Sequence, residues 1–186
     1  MALARETVLA LLHDQVANDN LRRHMLASEA IMRAVADRLG HDPDTWGLAG
    51  LGHDLDAERT EGDFARHGVE ASHLLAASGA PPEVTHAIAA HNEANTGVRA
   101  EAPIDVALIA CDQLSGLVTA AALVRPDKSL AGMQAKSVRK RFREGAFARG
   151  VDRDSIARCA ELGLDLDDFL ALGLEAMQRV AADLAL

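Results

Sequence analysis

Residues 18–39, NDNLRRHMLASEAIMRAVADRL, carry the clearest helical pattern in the chain. Their apolar or otherwise distinctive side chains recur at three- and four-residue steps, as on one face of an α-helix: Leu21, His24, Ser28, Ile31, Val35 and Leu39. Because His24 belongs to this row, we expect its imidazole to face the protein core. Asn18 or Asp19 can cap the start of the helix, and Gly40 is expected to end it.

The stretch LGHDLDAE, residues 51–58, follows a second predicted helix that Asp44 can cap. Neighbouring side chains point about 100° apart in a regular helix, so His53 and Asp54 can converge on one ligand only at a helix end. The residues after them lack helical periodicity, which predicts such an end.

Two shorter helices are predicted after this loop. The first runs from near His67 to Ser78. A Pro-Pro pair, Pro81 and Pro82, begins the next helix, since proline is favoured in the first helical turn. His91 shares the inner face of that helix.

A long apolar helix is predicted from Pro103 to just before Pro126. Asp112 lies in the middle of its apolar row, where a carboxylate is costly to bury unless it is paired, hydrogen-bonded or bound to metal. Cys111 lies one residue away, so it turns from that position and is expected to pack in the core.

Length and composition predict one all-α domain. The chain has 186 residues, of which 49% are apolar and 3% aromatic, so small aliphatic side chains packed between helices should form the core. No alternating strand pattern of useful length occurs. Two further helices, capped by Asp152 and Asp165, have the pattern of packing elements.

The cysteine and N-terminal patterns predict a cytoplasmic protein that does not associate with membranes. Two cysteines without a CxxC pattern suit a reducing compartment and exclude a disulfide framework or a thiolate zinc finger. The N-terminal apolar stretch contains Arg5 and Glu6 and is too short to span a bilayer.

Charge is distributed unevenly along the chain. The net charge is −9, yet residues 125–149 carry eight Lys or Arg against Asp127 and Glu144. An acidic body with one basic segment argues against a general nucleic-acid partner but could hold a small anion. The alternative is a solvated charged helix. Basic side chains that could hold such an anion are Arg23, Arg125, Lys128, Lys136 and Lys140.

Imidazole and carboxylate side chains recur at inward positions or helix ends of the predicted helices: His24, His53, Asp54, His67, His91 and Asp112. These residue types suit borderline divalent metals and need no thiol. The alternatives are a hydrogen-bonded core histidine or a buried ion pair. The other histidines are expected on the surface or outside the ligand set: His13, His41, His73 and His86.

The local motifs around these residues are HMLASEA, LAGLGHDLD, RHGVEAS, AIAAHNE and IACDQLSG. Their order on predicted helices resembles the HD-domain superfamily of metal-dependent phosphohydrolases, particularly its HDIG-type members. The resemblance implies a single HD-type helical bundle over residues 1–186. Its metal-binding core would span about 18–124, followed by the basic segment and C-terminal packing helices at 125–186.

The same resemblance implies a centre for one or two divalent ions, with Fe, Mn, Ni, Co, Zn or Mg as candidates. His24, His53 and Asp112 would surround one ion, His67 and His91 the other, and Asp54 would bridge them. The activity so implied is hydrolysis, by metal-activated hydroxide, of a phosphate ester or anhydride in a small nucleotide-like substrate. Asp54 would then serve in catalysis as the bridging ligand.

Two departures from the family pattern qualify this expectation. The motif HDLD has Asp56 where HDIG has glycine, so Asp56 or Glu58 could take part in proton transfer. Residues 91–93 read His-Asn-Glu rather than the His-His-Glu of related signalling phosphodiesterases, which argues against a cyclic dinucleotide substrate.

Other activities use the same ligands. Some HD-type proteins hold a di-iron centre and oxidise organic substrates with O₂. A non-catalytic HD protein could instead act as a ligand sensor or scaffold. A homodimer could form through an Ala-rich exterior helix.

Overall fold

The computed structural model describes residues 3–186, and these form helices and turns without any strand. This confirms the all-α prediction. In chain order the helices are α1 (Arg5–Gln15), α2 (Asp19–Leu39), α3 (Pro43–Gly52), α4 (Val69–Ala77), α5 (Pro82–Ala90), α6 (Glu93–Thr96), α7 (Pro103–Leu123), α8 (Ala135–Arg143), α9 (Arg153–Ala157), α10 (Leu166–Arg179) and α11 (Ala181–Leu184), with a short 3-10 helix at Arg158–Leu162.

Helices α2 and α7 form the centre of the bundle. Each contacts α3 and α10 as well as the other, and the buried aliphatic side chains form one contiguous core. The predicted ends of α2 are confirmed, since the Asn18 side chain accepts hydrogen bonds from the N–H groups of Asn20 and Leu21. At the other end Gly40 adopts a left-handed conformation with φ of 76°.

Helix α3 begins with a different cap from the predicted Asp44. The carboxylate of Asp42 accepts from the N–H groups of Asp44 and Thr45 instead. Proline suits the first helical position because its φ is fixed and it has no N–H, so Pro43 makes the preceding residue the cap. The helix ends at Gly52, which confirms the predicted end beside His53.

Helix α4 starts later than the sequence pattern indicates. Gly68 has φ of +87°, so the helical conformation begins only at Val69 and His67 stays in the preceding loop. That loop, residues 53–68, consists almost entirely of turns and connects α3 to α4.

Helix α7 is long and apolar enough to cross a membrane by length and composition alone, but 67% of its most apolar window is buried inside the protein. Its start is fixed by Asp105, whose carboxylate accepts from the N–H groups of Glu101 and Ala102. Because α7 contacts helices on several sides, Asp112 is placed near the middle of the bundle.

Close contact between α2 and α3 depends on a glycine. A Cβ atom at Gly50 would lie 2.8 Å from backbone atoms of Glu29, which cannot move without shifting α2. Glu29 itself is buried and forms ion pairs with Arg5 and Arg33. The contact therefore fixes the end of α3, and with it His53, against α2.

We expect Gly50→Ala to lower the free energy of unfolding by about 1–3 kcal/mol, because an added methyl group must displace packed backbone. Gly145→Ala is the matched control, since a Cβ there meets nothing within 4 Å. The measurement is the urea midpoint by circular dichroism. Equal midpoints for the two variants would show that the α2–α3 contact is not tightly packed.

Candidate metal centre

The six predicted ligands come together although they are spread over residues 24–112 of the chain. They form two groups, and within each group the potential ligand atoms lie within 4.8 Å of one another. The first group has His24, His53 and Asp112, and the second has Asp54, His67 and His91.

Asp54 joins the two groups. Its Oδ1 lies 3.3 Å from His67 Nε2 and 3.5 Å from both His53 Nε2 and His91 Nε2. Its Oδ2 lies 3.6 Å from His24 Nε2. Oδ1 therefore lies beside both histidines of the second group and His53 of the first, and Oδ2 lies beside His24, so the carboxylate stands between the two groups as a bridging ligand would.

The first group joins three elements. His24 from α2 places its Nε2 2.9 Å from Oδ1 of Asp112 on α7 and 3.2 Å from His53 Nε2 at the end of α3. The second group joins the loop to α5, with 3.3 Å between the Nε2 atoms of His67 and His91.

The outer nitrogen of each imidazole has a partner that determines its tautomer. His53 Nδ1 lies 2.9 Å from the Gly50 carbonyl oxygen, and His91 Nδ1 lies 2.6 Å from that of Ile88. A carbonyl oxygen only accepts, so Nδ1 carries the proton and the neutral ring directs the Nε2 lone pair into the centre.

The tautomer of His24 is determined by Ser115, which in turn contacts Ser28. Ser115 Oγ lies 2.8 Å from His24 Nδ1 and donates to the Asp112 carbonyl oxygen at 2.8 Å. Because its hydroxyl proton is used there, Ser115 can accept from His24 Nδ1–H. Ser28 donates to Ser115 at 3.4 Å. Both serines lie on the inward faces that periodicity predicts, but periodicity alone did not show that they meet.

Asp56 orients the imidazole of His67 through its outer nitrogen. Its carboxylate is fully buried, with Oδ1 2.9 Å from His67 Nδ1 and Oδ2 accepting from the N–H groups of Gly68 and Ala71, each at 2.8 Å. Both oxygens are thus engaged. Asp56 orients an imidazole and caps the start of α4.

Glu58 lies at the surface of the loop. It accepts from the N–H groups of Ala17 and Asn18 at 2.9 and 2.7 Å and so ties the loop to the start of α2. The proton-transfer role expected for Asp56 or Glu58 stays a prediction, and the contacts describe positioning of the loop.

Gln113 is a contact that sequence reasoning missed. Its Nε2 donates to Oδ2 of Asp112 at 2.8 Å, while its Oε1 accepts from the N–H of Asp152 at 2.8 Å. Asp112 is thereby held with Oδ1 towards His24. Position next to a candidate carboxylate was the only signal in the sequence.

Electrostatics in the centre favour carboxylates over neutral acids. Burial alone would lower the pKa of His67, but Asp54 and Asp56 outweigh it and raise this pKa to about 10. Burial is also overcome at Asp54 and Asp112, where neighbouring imidazoles hold the carboxyl pKa values well below their ordinary value. Without a cation, positive charge on a neighbouring imidazole such as His67 offsets part of the charge of these carboxylates.

The donor set fits a pair of divalent cations. Four Nε2 lone pairs and two carboxylates converge within a few ångströms, which is repulsive unless positive charge lies between them. Every imidazole also has the outer hydrogen bond that metal-ligating histidines commonly make. The six residues could therefore hold two ions, with Asp54 shared.

Among the basic candidates, Arg23 lies nearest to the centre. It lines a cavity of about 380 Å³ together with His24. Its guanidinium donates to Asn20 Oδ1 at 3.3 Å, and no carboxylate of residues 3–186 lies within ion-pair distance of it.

The other basic candidates lie away from the ligand cluster. Asp112 is eleven residues from the end of α7, about 16 Å along the axis, and Arg125 follows that end and pairs with Asp127. Arg125 and Lys140 line a separate cavity of about 310 Å³, while Lys128 and Lys136 are exposed. Their contact with a substrate phosphate stays a prediction.

The remaining candidates have ordinary structural contacts. His86 Nδ1 lies 3.0 Å from Asp105 Oδ2, and the His41 ring stacks on Trp46 with 4.7 Å between centroids. Cys111 is fully buried, and burial raises the pKa of its thiol well above the ordinary value. These side chains belong to the packing of the bundle.

We expect about two metal ions per chain in the intact protein and about one in His67→Ala, because the first group keeps all its ligands. Asp54→Asn should lose most of both ions, since it serves both groups. Elemental analysis after loading with Mn or Zn measures this. His73→Ala, an exposed histidine on α4, is the control and should retain two ions. Two ions in His67→Ala would exclude His67 as a ligand.

Comparison with known proteins gives one finding. Residues 21–115 match the HD domain family, a span that covers the complete ligand set and just over half of the chain. Comparisons with curated proteins and with solved structures gave no significant match. The all-α bundle and the paired His and Asp groups agree with the domain match. The chain therefore belongs to the HD-domain family.

Proposed function

We propose that this protein is a metal-dependent phosphohydrolase that cleaves a phosphate ester or anhydride in a small nucleotide-like substrate. The observation that carries the proposal is the position of Asp54, whose carboxylate lies between the two groups and within 3.6 Å of Nε2 atoms from both. HD-domain proteins are mostly metal-dependent phosphohydrolases, which agrees with this reading.

When bound, a pair of divalent cations lowers the pKa of a shared water towards neutrality and offsets negative charge on phosphoryl oxygens. The ligands of this chain suit that chemistry because four of the six are neutral imidazoles. Two carboxylates balance only part of the charge of two such ions. The surplus positive charge complements a phosphate group.

The ligand cluster has a closed side and an open side. The side chains of His53 and His91 are 0% and 5% exposed, whereas those of His24 and His67 are 25% and 21% exposed. A substrate would therefore approach over His24, His67 and the partly exposed Asp112.

Arg23 is placed to hold the phosphate on that open side. It lies one residue before His24 and lacks a carboxylate partner in residues 3–186, so its guanidinium is available to an anion. A guanidinium offers paired N–H donors that match phosphate oxygens. Asp56 and Gln113 act at a distance from the substrate by holding His67 and Asp112.

We also propose where the protein acts, what it binds and how it could assemble. We place the protein in the cytoplasm, with a small phosphorylated molecule as its partner and with a homodimer as an open option. The HDIG subtype is part of the same proposal.

The direct test is to load the protein with Mn, Fe, Co or Ni and to assay phosphomonoesters, phosphodiesters and dinucleoside polyphosphates. We expect turnover of at least one class. Asp54→Asn should lower kcat/KM by about 10³-fold, which is the loss of several kcal/mol of charge stabilisation. His73→Ala should match the intact protein.

Two results would contradict the proposal. One is the absence of turnover with every substrate class and metal. The other is a reaction that requires both iron and O₂ and stops with redox-silent metals, which would assign the chain to the di-iron oxygenases. Metal binding without any turnover would favour the sensor or scaffold reading.

We expect Arg23→Ala to raise KM for the substrate about 10- to 100-fold while metal content stays unchanged. A hydrogen bond to a charged group contributes about 1.5–3 kcal/mol, which corresponds to this range. Arg38→Ala is the matched control, because this exposed arginine lies on the same helix about 22 Å away and changes the net charge equally. Similar KM values for both variants would exclude Arg23 as a phosphate contact.

A further inference from the structure

We infer that the cavity beside His24 holds the organic group of the substrate, and that the substrate is a phosphate monoester with an uncharged and largely apolar organic part, as in a nucleoside monophosphate. This rests on the proposed function, because it takes the phosphate to be bound at the metal centre. It adds where the rest of the substrate lies and what its chemistry is.

The cavity borders the candidate metal centre. His24 is both a ligand candidate of the first group and part of the cavity wall. A phosphate held between the centre and Arg23 would therefore direct its ester group into this space. The volume of about 380 Å³ lies within the usual range of small-molecule sites.

Helix α7 provides one wall through small side chains. Gly116, Thr119, Ala120 and Leu123 all line the cavity, and their spacing places them on one helix face. Because three of the four are small, the face leaves room between α7, the start of α2 and the segment Leu184–Leu186.

The charge of the cavity argues for a single phosphate. Arg23 is its one arginine or lysine, and no Asp or Glu side chain belongs to the lining. The next basic side chain beyond α7, Arg125, is paired with Asp127 and lines a separate cavity, so a second or third phosphate would meet no further cation in the lining. Mono- rather than polyphosphates therefore match the lining.

The remaining lining matches a neutral organic group. Leu123 is 51% exposed, although nearly all other large apolar side chains of residues 3–186 are covered, and it borders the cavity with Leu184. Asn20 and Thr119 add hydrogen-bonding groups. A few polar groups among apolar walls are typical of sites for small organic molecules.

The test compares two esters of different size on the metal-loaded protein, adenosine monophosphate and glycerol phosphate. Ala120→Leu fills the cavity, so we expect kcat/KM for adenosine monophosphate to fall at least about tenfold, mainly through KM. Turnover of glycerol phosphate should change less than about twofold. Ala10→Leu, on an exposed face of α1, is the matched control and should alter neither.

Two further variants sharpen the result. Thr119→Val keeps the shape of the side chain and removes its hydroxyl group, and it replaces Ala120→Leu as the test if that variant fails to fold. It should lower kcat/KM for adenosine monophosphate and not for glycerol phosphate. Phe64→Ala tests the other open flank, because this side chain is 63% exposed in the loop that carries His67. A loss in Phe64→Ala with no loss in Ala120→Leu and Thr119→Val would overturn the inference.

If the proposed function is wrong, the inference about the cavity is tested by binding instead of hydrolysis. If no ester is hydrolysed, calorimetry of adenosine monophosphate with the same metal-loaded proteins decides the question. Binding at least about tenfold weaker in Ala120→Leu than in Ala10→Leu supports the cavity as the site. Equal affinities, or no binding by the intact protein, overturn it. In the hydrolysis assay, an equal loss of kcat/KM for adenosine monophosphate and glycerol phosphate in Ala120→Leu would also overturn the inference.

Discussion

The contact of one carboxylate with four imidazoles constrains the whole molecule. Asp54 is 13% exposed, and its oxygens lie within 3.6 Å of Nε2 atoms from α2, the end of α3, the following loop and the end of α5. A carboxylate in such surroundings is costly without compensating charge or hydrogen bonds. The four segments must therefore pack so that their imidazoles meet at this point.

The surrounding structure holds this cluster through a second layer of contacts. Backbone carbonyls orient His53 and His91, Ser115 orients His24, and Asp56 orients His67. Gly50, Ile88 and Ser115 lie on helices, whereas Asp56 lies in the loop and is held by the N–H groups of Gly68 and Ala71 at the start of α4. The contact of Gly50 with α2 also supports the cluster, because it fixes the position of the end of α3 against α2. Stability of the bundle and geometry of the centre are thus linked.

One side of the ligand cluster is covered by protein and the other side is open to solvent. His53 and His91 form its covered base, while His24 and His67 lie towards solvent. Beside His24 the start of α2 and the small residues of α7 leave a cavity with one arginine, Arg23, that has no carboxylate partner among residues 3–186. The candidate metal ligands, Arg23 and this cavity therefore adjoin one another at His24, where the proposed phosphate contact and the proposed space for the organic group would lie. The basic segment begins just after the end of α7, and its Arg125 and Lys140 line a separate cavity.

The sequence by itself determined the class of fold and the residue types of the centre. Periodicity placed His24 and Asp112 on inward helix faces, and the loss of periodicity after His53 indicated the helix end that lets His53 and Asp54 converge. Local conformational preferences decided finer points against the pattern: Pro43 moved a cap to Asp42, and the positive φ of Gly68 delayed α4. Only the tertiary structure decided which side chains meet across the bundle. The contacts of Ser115 with His24 and of Asp56 with His67 depend on distances between separate segments of the chain. Periodicity specifies the face of a helix on which a residue lies, whereas such distances are set by how the helices pack.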